Sequence, residues 1–397
     1  MMVLVILVVA VWAEGEPVPP AQVGSLYPFV QAQADRAELE WSFLHPRHQD
    51  LATWQQGGRQ FVLDCLHYPR PTGPVPATLL ERVDCGEYTR EKLLLQTTPD
   101  VQAPAYVLIP KGGAERKPAV LLLHDHGAFF VWGKEKVIPV GEVHPALQTF
   151  REQSYGGRVV GEELVKRGYV VMAIDMFYWG ERRMRLPADP PSWAQREQMS
   201  PEEVAGFNRQ ASANTGLIAT GLFEAGTTWA GVMLVDDLRS MDYLAARPEV
   251  DPERLGCCGL SVGGFRSAHL AGLDPRVKAA IVVGWMCSYP LMLKSHLTSI
   301  GYWATMPGLQ QGMDLPDVVS LHAPRPLMII HGTQDRLFPN EGVQAAFDKI
   351  AAVYKKAGAA PELFRPVTYD GPHEFNVAMQ EQAFAWLEQW LGGGGGK

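Results

Sequence analysis

Gly259-Leu260-Ser261-Val262-Gly263 is the stretch of this chain whose residue types and spacing could do covalent chemistry. A serine hydroxyl is a poor nucleophile at neutral pH unless an imidazole takes its proton and a carboxylate holds that imidazole in one tautomer. A sharp strand-to-helix turn would present the hydroxyl at the rim of a sheet. The residues two before and two after the serine must then lack bulk, because strand and helix approach closely there. Glycine occupies both positions, and Gly264 adds room on the helix side. The competing reading is a buried serine in a glycine-rich turn, which needs no partners elsewhere.

Partners exist, in the order such a turn demands: the acid after the serine and the histidine last. The apolar run Pro326 to Ile330 leads into His331-Gly332-Thr333-Gln334-Asp335, and Val367 to Tyr369 leads into Asp370-Gly371-Pro372-His373. Ser261, Asp335 and His373 are therefore the expected nucleophile, orienting acid and base. Asp175 is a rival acid, placed behind Asp335 because it precedes the serine. After Ala119 to Leu123 comes His124-Asp125-His126-Gly127. That loop is expected to give one backbone N–H to an oxyanion, from His126 or Gly127, with Val262 giving the other. The His-x-His spacing could instead hold zinc, but no further ligand follows at ligand spacing, so no metal is expected. His45 and His48 lack a third ligand in the same way and read as surface histidines.

These loops need a scaffold that ends several strands at one rim. Lys92 to Thr97 and Ala105 to Ile109 read as an antiparallel pair, with period-two patterning from Val83. Apolar runs at Ala119 to Leu123, Tyr169 to Ile174, Leu255 to Cys258 and Val277 to Val283 then alternate with helical patterns at about Gly157 to Arg167, Val232 to Ala246 and Glu374 to Leu391. The expected class is α/β, a mainly parallel central sheet with helices on both faces. Two connections, at about 176–230 and 285–324, are too long for simple crossovers and are rich in aromatics, which suits lid-type insertions over a substrate pocket. Phe129, Trp179, Trp285 and Trp303 are the expected pocket aromatics. Ala32 to Leu66 carries apolar residues at helical spacing and reads as an N-terminal helical extension, within a leader-plus-extension region over 14–82.

The chain has 397 residues, 47% hydrophobic and 20% charged, enough for one large core. A net charge of −8 without a basic run leaves no electrostatic footprint for nucleic acid. Met1 to Ala13 is an apolar run ending Val11-Trp12-Ala13, which reads as a signal peptide and is too short to span a membrane. No Lys or Arg precedes it, so a cytosolic chain with an apolar N-terminal strand is the alternative to export. Cys65 and Cys85 could pair if the chain is exported, and Cys257 and Cys258 read as small core residues. Residues 392–397 read as a flexible tail.

Together, Gly259 to Gly264, His331 to Asp335, Pro372 to Phe375, His124 to Gly127 and Asp175 to Arg183 resemble the α/β-hydrolase superfamily. They are most similar to its acetyl xylan esterase and dienelactone hydrolase-like branch. The resemblance implies an α/β-hydrolase domain over about 83–391, hydrolysis of a small-molecule or carbohydrate carboxylic ester, and no cofactor. The chain departs from dienelactone hydrolases in having Ser261 where they use cysteine, and from many relatives in placing Asp125 in the oxyanion motif. Two rivals stand beside this expectation: a serine peptidase related to prolyl oligopeptidases, and a non-catalytic binding protein on a hydrolase fold.

Overall fold

The run Ala119 to Leu123 and all of Val170 to Ile174 are buried at every position. Strands covered on both faces must be apolar throughout, so these runs belong at the centre of a sheet. A computed structural model describes residues 21–392 and places them there. Among the described residues nine strands form the sheet: β1 (Ala77–Asp84), β2 (Tyr88–Gln96), β3 (Gln102–Pro110), β4 (Lys117–Leu123), β5 (Val170–Ile174), β6 (Val250–Leu260), β7 (Val277–Val283), β8 (Leu327–Gly332) and β9 (Phe364–Tyr369). Their order in space is β1-β2-β3-β5-β4-β6-β7-β8-β9. The first three strands pair antiparallel, β3 also pairs antiparallel with β5, and every pairing from β5 through β4 to β9 is parallel. Helices cover both faces. One layer contains Trp229–Ala245, Val262–Leu273, Leu315–Ser320 and Asn340–Lys356. The other contains Val160–Lys166 and Val377–Leu391, joined by the Arg167–Glu381 ion pair at 3.1 Å.

The N-terminal extension packs against the first layer through helix Leu51–Cys65, whose Trp54 and Val62 are fully buried. Arg59 on that helix donates to the Gly272 carbonyl at 2.9 Å, at the C-terminal end of helix Val262–Leu273, where a cation is favoured. The helical reading of Ala32 to Leu66 needs correction in the middle. The structure has a short helix Tyr27–Ala34 and then turns until Asp50, whose side chain caps the second helix by accepting from Thr53 N. The 82/83 boundary also falls inside β1. This edge strand is exposed at nearly every position, so it has no buried face to impose an alternation. Helix Pro145–Tyr155 was not expected, although His144 and Pro145 carry its cap and first-turn signals.

The first long connection folds into helix Pro201–Glu224, started by a Ser200/Glu203 capping box, and the second into short turns and helices. Among the described residues no single helix is long and apolar enough to cross a membrane. All five cysteines are free thiols, Cys65 and Cys85 included. The candidate signal peptide and residues 393–397 lie outside the described residues.

Candidate active site

Strand β6 ends at Leu260 and helix Val262–Leu273 begins two residues later, so Ser261 alone makes the turn, with φ 59° and ψ −122°. That conformation is strained for a non-glycine residue and is held from both sides. Ser261 N donates to Val283 O at 2.8 Å, and Phe265 N donates to Ser261 O at 2.9 Å. A Cβ on Gly259 would sit 2.5 Å from the carbonyl oxygens of Gly263 and Leu123, and one on Gly263 would strike Leu123 O. The elbow helix is locked to helix Trp229–Ala245 by Arg266 Nε donating to Asp237 Oδ2 at 2.9 Å, with both side chains fully buried.

The loops after β8 and β9 are tied together: Thr333 N donates to Tyr369 O at 2.8 Å and Gln334 N to Gly371 O at 3.0 Å. This brings Asp335 to His373, with Nδ1 and Oδ2 2.6 Å apart. The other carboxylate oxygen accepts from Leu337 N at 2.9 Å. A carboxylate only accepts, so the imidazole proton sits on Nδ1 and the lone pair on Nε2. That Nε2 is buried and has no hydrogen-bond partner among the described residues. Gly284, with φ +61°, makes room for the ring: a Cβ there would lie 2.9 Å from His373 Cε1. Ser261 and His373 line one cavity of about 980 Å³. Asp175, the rival acid, is fully buried elsewhere and bound to Lys134 Nζ at 2.7 Å.

His126 and Gly127 line the same cavity, while Val262 opens the elbow helix, where a first-turn amide has no intrahelical acceptor. Desolvation first, and then the Lys136 ammonium, lower the pKa of His126 to about 3. His124 is engaged at both ring nitrogens: Nδ1 contacts Asp125 O at 2.9 Å, and Nε2 accepts from Met176 N at 3.1 Å. Both contacts are structural, which leaves no nitrogen for a metal. The described residues contain one carboxylate cluster with metal-ligand spacing, Glu135, Asp175 and Glu181. Its centre is already filled by Lys134 Nζ, at 2.9, 2.7 and 2.6 Å from the three.

Of the four expected pocket aromatics, Trp285 and Trp303 line the cavity and Phe129 and Trp179 do not. Phe129 is drawn into a stack with Phe150, at 4.6 Å and 5°. Trp179 is fully buried and supports His126 from behind, its Nε1 donating to His126 O at 3.2 Å. Tyr302, another aromatic of the second long connection expected to wall the pocket, lines the cavity too, while sequence reasoning singled out none of Gln22, Ser212, Thr215 and Thr298, all on its wall. Gln22 is clamped to Thr298 by two bonds of 2.9 and 3.1 Å, so the N-terminal segment forms part of the rim. No local pattern marks such residues. A second groove of about 1100 Å³ lies by β1 and β2, away from Ser261. Its arginines are spent on ion pairs, three of them with Asp242 at 2.6 to 2.9 Å.

Residues 25–365 match the sequence model of an Abhydrolase family. The chain is 28% identical over 319 residues to a Bacillus subtilis (strain 168) protein named "Putative hydrolase YtaP", covering 80% of this chain and 93% of that one. Its fold is similar to that of a "putative acetyl xylan esterase" of Bacteroides fragilis NCTC 9343, with a TM-score of 0.66 and 19% identity, covering 88% of this chain and 84% of that one. It is also similar to a glucuronoyl esterase of Solibacter usitatus, with a TM-score of 0.55 and 15% identity, covering 85% and 93% respectively.

Proposed function

The chain belongs to the Abhydrolase family, whose model it matches over residues 25–365, and from that premise we propose that it is a serine carboxylic ester hydrolase acting through Ser261, His373 and Asp335. The observation that carries the reading is the His373 imidazole, fixed by Asp335 at 2.6 Å with Nε2 unpartnered, on the wall of the cavity that Ser261 also lines. Ser261 Oγ attacks the ester carbonyl while His373 Nε2 takes its proton, and the imidazolium is stabilised by Asp335. The amides of Val262 and of the His126–Gly127 loop receive the oxyanion. His373 returns the proton to the leaving alcohol. Water, activated by the same imidazole, then cleaves the acyl-enzyme.

The substrate in this reading is a carbohydrate ester, an acetylated one first. Tyr302 offers an exposed ring, Trp285 and Trp303 border the cavity behind it, and Ser212, Thr215 and Thr298 offer hydroxyls, around a wall that among the described residues holds no Lys, Arg, Asp or Glu. Such a wall suits a neutral sugar better than a charged one. Export through Met1 to Ala13 belongs to the same proposal; finding the full apolar run on the mature protein by N-terminal sequencing would refute it.

The test is an ester panel from acetyl to longer acyl chains, with acetylated xylan and methyl esters alongside. Ser261→Ala is expected to abolish turnover, by at least about 10³-fold, while substrate still binds. Wild-type rates in that variant would end the proposal.

A further inference from the structure

We propose that Lys136 is a positioning residue for the oxyanion loop: from behind it, the ammonium fixes the carbonyls of Asp125 and His126 and so turns the amides of His126 and Gly127 toward the cavity. The inference rests on the serine esterase reading above. Lys136 is fully buried, and Nζ donates to Asp125 O and His126 O at 2.9 Å each, with Asp125 Oδ2 at 3.3 Å. An ammonium has three donors, so all are in use. Two more groups brace the same loop: Tyr155 OH donates to the Asp125 side chain at Oδ1, 2.6 Å away, and Trp179 Nε1 donates to His126 O at 3.2 Å.

The consequence follows from peptide geometry. In a planar trans peptide the N–H points opposite to the C=O, and among the described residues only Ala323–Pro324 is cis. Two carbonyls converging on one ammonium therefore turn the two following amides, His126 N–H and Gly127 N–H, away from it. His126 and Gly127 line the cavity with Ser261, whereas Lys136 does not. The next amide, Ala128 N–H, is diverted to His126 Nδ1 at 2.9 Å, so the loop presents at most those two donors.

The placement of the charge supports the same role. Burying an ammonium is expensive, and a purely structural site would be served as well by apolar packing. Burial pushes the Lys136 pKa down from the usual lysine range, with Asp125 opposing. Preorganised amides are worth most where water is excluded, and a rigid backing is what keeps them in place as charge develops on the carbonyl oxygen.

The experiment compares wild type, Lys136→Met and Tyr155→Phe on a short aryl acetate, with Ser261→Ala as control. It reads kcat, KM, melting temperature and affinity for phenylboronic acid, whose tetrahedral adduct on the serine loads the oxyanion site. Lys136→Met is expected to lower kcat by roughly 10- to 100-fold with KM within about twofold, and to weaken boronate binding in parallel. Tyr155→Phe should show a smaller loss of the same kind, and it carries the test if Lys136→Met does not fold. Unchanged kcat and boronate affinity beside a lowered melting temperature would overturn the inference, as would a rise in KM alone. A wild type without Ser261-dependent turnover would instead bring down the esterase reading itself.

Discussion

Asp335 and His373 lie on the loops after adjacent strands β8 and β9 and meet at 2.6 Å through Oδ2 and Nδ1. The carboxylate thereby selects the tautomer that leaves the Nε2 lone pair free, as the proposed reaction requires of its base. Asp335→Asn would offer an amide N–H to the ring in one rotamer and stabilise the wrong tautomer. We expect kcat on an aryl acetate to fall on the order of 10⁴-fold with little change in KM. Steady-state kinetics on folded protein checks this.

Gly284 has φ +61° and faces the His373 ring. Gly284→Ala would force the imidazole to shift or the β7 end to deform. A displacement near 1 Å costs about 100-fold in rate, so a loss of that order in kcat is expected, along with slower labelling of Ser261 by a fluorophosphonate. An unaltered labelling rate would show that the ring has room to spare.

Trp303 packs on Trp285 at 5.0 Å and on His126 at 5.7 Å while lining the cavity. Trp303→Ala removes a stacking face without touching Ser261 or His373. We expect KM for an acetylated oligosaccharide to rise roughly tenfold and KM for a short aryl acetate to change less. An equal effect on both substrates would place Trp303 in the general scaffold instead.

His269 is fully buried, with Nδ1 on Phe265 O at 2.8 Å and Nε2 unpartnered, and desolvation lowers its pKa from 6.5 to about 4. The folded state keeps it neutral, so the unfolded chain binds the extra proton. Its stabilising contribution is present above the unfolded pKa and is lost as pH falls from about 6.5 toward 4. The loss amounts to about 3 kcal/mol by pH 4. His124 and His322, likewise held well below 6.5 by burial, act in the same direction. Urea midpoints measured from pH 7 to 4 should fall steadily, and less steeply in His269→Leu.

Lys134 is surrounded by Glu135, Asp175 and Glu181. Lys134→Met would leave the buried Asp175 without its cation, while Glu135 keeps Arg196 at 2.8 Å and Glu181 keeps Lys92 at 3.0 Å, at a cost of about 3–5 kcal/mol. Chemical denaturation would register the loss. Because the ammonium occupies the centre of that cluster, EDTA should leave wild-type turnover and melting temperature unchanged.

What the sequence determined by itself is local. Ser261 between Gly259 and Gly263 is legible because the turn's steric demand falls on residues two positions away, and the strand leading to Asp335 is legible because burial on both faces writes itself as an unbroken apolar run, whereas the mostly exposed edge strand leading to His373 shows only as the short run Val367 to Tyr369. The same logic fails for β1, whose exposed faces impose no pattern, and for Asp35 to Asp50, where turns replace an apparent helical spacing. Only the tertiary structure decided which side chains meet. Lys134-Glu135-Lys136 is a charge run in sequence, yet all three are buried, because their partners come from the long connection after β5 and from the loop after β4. The same holds for Gly284 against His373, for Gln22 against Thr298, and for Trp285 and Trp303 reaching the cavity while Phe129 and Trp179 turn from it. Periodicity reports how a residue relates to its neighbours in the chain; contact between distant segments is set by the order and register in which the sheet brings its strand ends together.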